Sequence, residues 1–250
     1  MADTWDFYFS NVNGELASLF IDLGLAEVAP DRHRPWLLWA WVYMNLPRED
    51  GLSSAEEAPL LDDLEESLME AVEESTGAEL VGRITTSGRR EFYFYGPSIE
   101  GFEDAIGRVM SDRPEYRFDT GLENDPEWNH YVRVLYPSPH DIQCIKNRRV
   151  IEVLQEHGDA LDKPRTLSHW ACFPSEAARQ QFAAAAVGLG YRVVNQGEVE
   201  KTANGQRFGV TFERSDSVDW ASINEVTIEL YELADSCGGD YDGWESPVQK

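Results

Sequence analysis

Along this chain, short apolar runs that are typical of strands alternate with segments in which apolar residues recur at helical spacing. Short apolar runs bounded by turn residues predict strands at residues 5–9, 16–22, 36–44, 80–85, 90–95, 116–118, 167–173, 191–199, 207–212 and 241–248. Apolar residues that recur every three or four positions predict helices that begin near Ser53, Ser98, Pro139, Ser175 and Ser217. Because the two kinds of element are mixed along the chain, we expect an α+β protein.

The C-terminal third has the clearest order of elements. A strand at 167–173 is followed by a helix that Ser175 caps, and a hairpin then turns at Asn204-Gly205. A helix from Ser217 and a short last strand complete the order βαββαβ. This order predicts helices on one face of a mainly antiparallel sheet, which is the ferredoxin-like α/β sandwich.

The N-terminal half gives the same order of elements without repeating the sequence. After a hairpin with its turn at Asn13-Gly14, residues 36–118 again read βαββαβ. The run Trp36–Met44 is apolar on both faces, and it predicts a central strand buried on both sides. Residues 126–137 fit a short helix and an extended segment equally well.

These patterns predict the domain organisation of the chain. We expect two ferredoxin-like domains in tandem, an N-terminal α+β domain at residues 1–137 and a second domain at 165–250. Residues 138–164 are expected to form a linking helix and a linker between them.

The first predicted helix has a strongly acidic outer face. Ser53-Ser-Ala-Glu56 matches a capping box, and the nine acids from Glu56 to Glu74 have no basic residue among them. Like charges at helical spacing do not stabilise a helix, so the charge needs another explanation. The face is either a solvated surface or a binding surface for a basic partner, with these candidate contacts: Glu65, Glu66, Glu73 and Glu74.

Charge restricts the partners of the protein. The net charge is −25. Residues 1–139 contain 28 acidic and 10 basic residues, a net charge of −18, and residues 140–250 contain 18 and 11, a net charge of −7. A surface this negative repels phosphate backbones, so we expect a basic protein partner and no direct binding of nucleic acid. High solubility is the alternative explanation for much of the charge.

Other features of the sequence favour a cytoplasmic protein without a cofactor. No run is long and apolar enough to span a membrane, and the N-terminus has no secretory pattern. Cys144, Cys172 and Cys237 are widely separated and are expected to be reduced thiols. No nucleotide-binding, nucleophile or metal motif occurs, and His169 is expected to be structural rather than a general base.

The C-terminal segment offers a second candidate binding surface. Asp240, Asp242 and Glu245 lie around Gly239 and Gly243, but they are too few and wrongly spaced for a calcium loop, so we expect no metal. Among these carboxylates, Trp244 either anchors a basic or apolar group of a partner or closes the core of the domain.

Two resemblances to known families add to these expectations. "LSHWACFPSEAARQQFAAAAVGLGYRV" and "GGDYDGWESPV" resemble the bacterial regulator of ribonuclease E activity B family, RraB, over roughly residues 165–248. The resemblance implies a non-enzymatic acidic protein that binds ribonuclease E and restrains RNA cleavage. "WDFYF", "RPWLLW", "GLSSAEEAP" and "GRREFYFYGP" resemble a bacterial domain family of unknown function that often precedes an RraB-like region.

The leading hypothesis is therefore a non-enzymatic regulator that binds an RNA-degrading enzyme of the ribonuclease E type and inhibits it by protein contact. One alternative is an enzyme or small-ligand binder with a site between the two domains, lined by the aromatic residues Trp39, Trp41, Tyr93 and Trp170. Another is a general adaptor that uses the acidic helix.

Overall fold

The structure, a computed structural model, describes residues 4–200, 202 and 204–249. Its internal contacts divide the chain into two compact units, at residues 1–141 and 142–250, here called the N-terminal and C-terminal units. Each unit contains one antiparallel sheet with helices, which confirms the α+β prediction. None of the helices in these residues is long and apolar enough to cross a membrane.

The N-terminal unit is a ferredoxin-like sandwich with two extra strands. Its sheet order is β1-β2-β4-β5-β3-β6, with all neighbours antiparallel. The sequence β3-α1-β4-β5-α2-β6 is the predicted βαββαβ unit, and the β1–β2 hairpin extends the sheet beyond β4. The elements are β1 Trp5–Val12, β2 Glu15–Asp22, β3 Trp36–Tyr43, α1 Ala58–Thr76, β4 Glu79–Thr86, β5 Arg89–Gly96, α2 Phe102–Ser111 and β6 Arg117–Asn124.

The core of this unit lies between the helices and one face of β3. Leu38, Ala40 and Val42 are fully buried against the apolar stripe of α1. The prediction that β3 is buried on both faces is wrong, because Trp39 and Trp41 on its other face are partly exposed. Their rings pack on each other with centroids 4.6 Å apart.

Residues 126–137, whose structure the pattern left open, cover part of that other face. They form a turn and one π-helical segment, Tyr131–Leu135. The Trp128 ring stacks on Tyr95 at 4.2 Å, and its Nε1 donates a hydrogen bond of 2.9 Å to the carbonyl of Arg34. The hydroxyl of Tyr8 on β1 donates a hydrogen bond to the carbonyl of Leu135 at 2.8 Å. The segment therefore contacts β5 through Trp128 and the edge strand β1 through Leu135.

The start of α1 differs from the prediction. The helix begins at Ala58, and Ser54 Oγ accepts a hydrogen bond from the Glu57 amide in the turn before it. The buried Glu57 carboxylate accepts hydrogen bonds from the amides of Asn45 and Leu46 at 2.7 and 2.8 Å. The prediction of a capping box at Ser53 and Glu56 is therefore wrong, since the neighbouring Ser54 and Glu57 make the side-chain hydrogen bonds and these stabilise the loop before the helix.

Two other helix starts also differ from the prediction. Ser98 Oγ caps a turn at Glu100, and α2 begins only at Phe102. The last helix begins at Trp220, where the Asp219 carboxylate accepts a hydrogen bond from the Ser222 amide. At these two starts the predicted serine precedes the helix and does not cap it.

The C-terminal unit is a second ferredoxin-like sandwich. Its sheet order is β10-β7-β9-β8, again with all neighbours antiparallel, and Ser175 caps α4 as predicted. Helix α3 belongs to this unit from Ile142 onward. The elements are α3 Pro139–Glu156, β7 Arg165–Phe173, α4 Glu176–Gly188, β8 Arg192–Glu198, β9 Phe208–Asp216, α5 Trp220–Ser236 and β10 Asp240–Glu245.

A buried polar network attaches α3 to the rest of this unit. The Asn147 amide nitrogen donates to Asn224 Oδ1 at 2.8 Å and to Thr227 Oγ1 at 2.6 Å, both on α5. Its amide oxygen accepts a 2.8 Å hydrogen bond from Trp244 Nε1 on β10. One side chain therefore joins three elements, and each of its polar atoms is satisfied.

His169 lies in the aromatic core of the C-terminal unit. Its ring is fully buried and stacks on Phe212 at 5.5 Å, and its Nδ1 lies 2.9 Å from the hydroxyl of Tyr241. Burial lowers the pKa of His169 from 6.5 to about 4. The side chain is therefore neutral and inside the core at neutral pH, as expected of a structural histidine.

We predict that N147L destabilises the protein by about 2–4 kcal/mol, because the buried Trp244 N–H and Thr227 hydroxyl lose a partner. Urea unfolding followed by circular dichroism measures the effect. V153A, at an exposed position of the same helix, serves as the control and should change the free energy of unfolding little. Equal stability of N147L and V153A would contradict the role of the network.

We predict that His169 makes the protein less stable as pH falls from 6.5 to 4. The unfolded state binds a proton in this window and the folded state does not, so stability is lost with falling pH, by about 3 kcal/mol in total. H169Q should lower stability at pH 7 and flatten this part of the pH profile. H157Q, at an exposed histidine of the same unit, should keep the wild-type slope; the same slope in H169Q would contradict the assignment.

Candidate functional site

The C-terminal sheet has one face that its own helices do not cover. Helices α4 and α5 pack on the face formed by Ala171, Phe173 and Phe212. The alternation of β7 turns Ser168, Trp170 and Cys172 to the opposite face, where all three are partly exposed. We call this second face, from β10 to β8, the open sheet face.

A groove of about 320 Å³ crosses the open sheet face over β7, β9 and β8. Thr211 of β9 pairs with Trp170 on one side and with Asn195 on the other, so the three side chains form a row across the sheet. Val199, Glu200 and Thr202, which follow β8, form the rim of the groove. A Cβ atom at Gly209 would lie only 2.8 Å from Val199 Cγ1, so a glycine at this position allows the rim to approach the sheet.

A second groove, of about 340 Å³, lies between α3 and the edge strand β10. Trp170 and Asp242 line both grooves. The exposed side chains of Lys146 and Arg149 line the α3 side. The two grooves therefore share one aromatic ring and one carboxylate, and together they follow the sheet from α3 to the rim.

The charge of the site changes along its length. The groove toward β8 is lined by the carboxylates of Glu198, Glu200 and Asp242, and no Lys or Arg belongs to its described lining. Burial and the nearby Asp242 and Asp240 raise the pKa of the Cys172 thiol, so this cysteine is not an activated nucleophile. The site therefore attracts cations at its β8 end and offers cations of its own at α3.

Three of the four predicted residues of the C-terminal segment lie on the open sheet face. Asp240, Asp242 and Glu245 are at least partly exposed, and Gly243 of the same strand lies opposite Trp170. Trp244 points the other way. A bulge between Tyr241 and Gly243 places Tyr241 and Trp244, three positions apart, on the core side together.

Trp244 closes the core beneath α3. The side chain is 8% exposed, and it packs in a cluster with Leu167 and Ile223. Its ring N–H is satisfied by Asn147. Of the two roles that the sequence leaves open for Trp244, the structure favours core packing, and Trp170 is the tryptophan that borders the grooves.

The predicted acidic residues of α1 divide into two groups. Glu66, Glu73 and Glu74 are exposed, whereas Glu65 is 8% exposed and pairs with Arg83 of β4. Asp62 accepts a 2.6 Å hydrogen bond from Arg90 of β5. The interpretation that these acids have no basic partner is wrong for Asp62 and Glu65, because the partners come from the sheet.

The aromatic residues of the alternative hypothesis have separate surroundings. Trp39 and Trp41 are partly exposed on the N-terminal sheet, and Tyr93 is buried with its hydroxyl donating to Glu91 at 2.5 Å. Trp170 belongs to the grooves described above. No group of three or more potential metal ligands occurs in the described part of the chain.

Sequence reasoning missed Cys172, Asn195 and Thr211 as members of the site. A signal was present in β7, where Leu167, His169, Ala171 and Phe173 alternate with Ser168, Trp170 and Cys172. Successive side chains of a strand point to opposite faces, so the two sets lie on different faces of the sheet. The row across β8 and β9 depends on pairing register, which this alternation does not specify.

Comparison with known protein families gives two matches, one in each half of the chain. The model of the Family of unknown function (DUF695) matches residues 3–136, and that of the Regulator of ribonuclease activity B matches residues 144–246. No curated protein matches the chain.

Two solved structures resemble the chain weakly. An unknown protein from Galdieria sulphuraria is 13% identical, with 86% of this chain and 99% of that one covered and a TM-score of 0.25. A putative glycine cleavage system transcriptional repressor is 11% identical, with 85% and 98% covered and a TM-score of 0.26.

Both resemblances proposed from the sequence are confirmed by the family matches. The family of residues 144–246 is one of regulators of ribonuclease activity, and the open sheet face lies entirely within that region. The chain belongs to the family of unknown function DUF695, and its C-terminal unit matches the regulator of ribonuclease activity B family.

Proposed function

We propose that the C-terminal unit binds a ribonuclease of the ribonuclease E type through its open sheet face and thereby lowers the cleavage of RNA. The observation that carries this proposal is the match of residues 144–246 to a family of ribonuclease regulators. Two grooves of that region share the Trp170 ring in their lining. Such a surface can hold a protein segment.

The charge of the site supports a protein as the direct partner. The carboxylates of Glu198 and Glu200 lie at the β8 end of the groove, and that of Asp242 lies at its β10 end. RNA phosphates would be repelled there, and the net charge of −25 repels them at long range. Lysine and arginine side chains of a protein would be attracted to the same carboxylates.

A basic segment fits the site in a specific way. A lysine or arginine placed over the Trp170 ring would form a cation–π contact while pairing with Asp242 beside it. Hydroxyl and amide groups of Thr211 and Asn195 offer hydrogen bonds along the groove. The aromatic contact gives affinity, and the charges give orientation and a fast association rate.

Inhibition follows from what such a basic segment does in an RNA-cleaving enzyme. Lysine and arginine clusters neutralise RNA phosphates, so an acidic protein that occupies them competes with RNA for the same surface. The inhibition should weaken as salt rises, because the contact pairs exposed charges. The protein itself performs no chemistry in this mechanism.

We predict that W170A and D242N each weaken binding of the full-length protein to ribonuclease E by about tenfold or more, since a central aromatic or charged contact is lost. Calorimetric titration measures binding, and cleavage of a labelled RNA measures inhibition. The matched controls are W220A and D235N, at exposed positions of α5 outside the grooves.

The two control variants should bind and inhibit within about twofold of the wild type. If W170A and D242N inhibit as well as their controls do, the open sheet face is not the binding surface. If the wild-type protein neither binds ribonuclease E nor slows its cleavage of RNA, the proposed function itself is wrong.

A further inference from the structure

Strand β6 is an edge strand of the N-terminal sheet. It pairs with β3 along all eight of its residues, Arg117–Asn124, without a bulge or a register shift. Within the described residues, no strand and no backbone hydrogen bond occupies its outer side. Five of its eight residues are exposed, among them Leu122 at 40%. A long and regular edge of this kind can pair with a further strand.

The edge lacks most of the features by which proteins prevent such pairing. These features include a proline or a lysine in the strand, a bulge, and a strand of only a few residues. The stretch Arg117–Asn124 contains neither proline nor lysine, and its pairing with β3 is regular. Its charged residues are Arg117, Asp119 and Glu123, which carry both signs. These charges therefore select a strand of matching pattern instead of excluding every strand.

The order of residues in β6 is complementary to a second copy of itself. In an antiparallel pair with its two-fold axis at Thr120, Arg117 lies opposite Glu123 of the second copy, and Phe118 lies opposite its Leu122. Symmetry makes each of these pairs occur twice, and Thr120 lies opposite its own equivalent. Opposite charges and threonine pairs are favourable across two strands, and the apolar pair buries exposed surface.

The two charged side chains of this pairing are available to a second copy. Within the described part of the chain, neither Arg117 nor Glu123 forms a salt bridge with another side chain. The Arg117 guanidinium lies over the Tyr43 ring, 3.8 Å from its centroid, which keeps it beside the strand. Both charged residues are exposed. An ion pair between the copies would therefore replace no existing one.

Trp39 offers a further contact across the edge. Its ring lies over Gly121, and its Nε1 is 2.8 Å from the position that a Cβ atom of Gly121 would take. The two-fold register places Asp119 of the second copy opposite Gly121, within reach of this N–H. The glycine therefore lets the Trp39 ring lie at the edge of the sheet, where a carboxylate of the second copy can accept its hydrogen bond.

We propose that the N-terminal unit is a homodimerisation module in which two copies of β6 pair antiparallel and join their sheets. The charges select this register. A shift by two residues places Asp119 opposite its own equivalent in one direction and opposite Glu123 in the other, and like charges oppose both. The two-fold axis keeps the helices of both copies on one face, so Phe118, which packs against the core under the helices, meets Leu122 of the second copy there.

Net charge opposes the dimer at long range without preventing it. Each copy carries a charge of −25. In about 0.15 M salt this repulsion is screened beyond about 8 Å, whereas the pairs at the edge act in contact. We therefore expect a dimer of moderate affinity, with a Kd of about 1–100 µM. The edge lies outside residues 144–246, so the inference goes beyond the proposed function and does not depend on ribonuclease binding.

Sedimentation velocity of the full-length protein, from about 1 to 300 µM in about 0.15 M salt, tests the proposal. The wild type should change from monomer to dimer over this range. R117E and E123R each place like charges opposite one another and should weaken association by about tenfold or more. R117E/E123R exchanges the two charges, so association should return to within about threefold of the wild type.

A second comparison tests the apolar pair. L122K places a charge opposite Phe118 and should weaken association by about tenfold or more. L60K, at an exposed leucine of α1, is its matched control. R32E and E74R make the same changes of charge as R117E and E123R at exposed positions outside β6. All three controls should associate within about twofold of the wild type.

The proposal is overturned if the wild type remains a monomer over the whole range. It is also overturned if the charge exchange in R117E/E123R does not restore association, or if the controls weaken association as much as the β6 variants do. A dimer that no β6 variant weakens would place the interface elsewhere and equally contradict it. If R117E or E123R does not fold, as judged by circular dichroism, the comparison of L122K with L60K decides the outcome.

Discussion

The structure depends on how much sheet a pair of helices can cover. In each unit two helices bury one face of four antiparallel strands, and every other surface of the sheet must be protected differently. The N-terminal unit uses residues Trp128–Tyr136 to cover part of its second face. In the C-terminal unit the second face has two grooves around Trp170. The candidate binding surface of the C-terminal unit follows from this limit.

The acidic residues have several structural roles besides setting the net charge. Glu57 accepts hydrogen bonds from two backbone amides of the loop before α1, and the buried Glu65 of α1 pairs with Arg83 of β4. Asp159 and Arg165 form a buried ion pair that also binds the Gln249 amide and the Pro247 carbonyl, and this pair lowers the pKa of Asp159. Exposed carboxylates such as those of Glu200 and Asp242 remain available to a partner, and they line the groove that also contains Trp170.

The fold could be predicted from the sequence because the patterns that indicate its strands, helices and tight turns are local and recur along the chain. The turns at Asn13-Gly14 and Ser87-Gly88 have positive φ at both positions, as tight hairpins require, and the apolar stripe of α1 is fully buried. Helix starts were less predictable, because serine caps a preceding turn as readily as a helix. The role of Trp244 depended on a bulge in β10, and a bulge changes which residues share a face without changing the pattern of residue types.

The central claim is that a ribonuclease contacts the open sheet face of the C-terminal unit. Amide hydrogen exchange of the full-length protein, with and without a saturating amount of ribonuclease E, tests it most directly. The account predicts slower exchange in β8, in the rim that follows it and in β10, with α4 and α5 unchanged. Slower exchange confined to α4 and α5, or to the N-terminal unit, would contradict it.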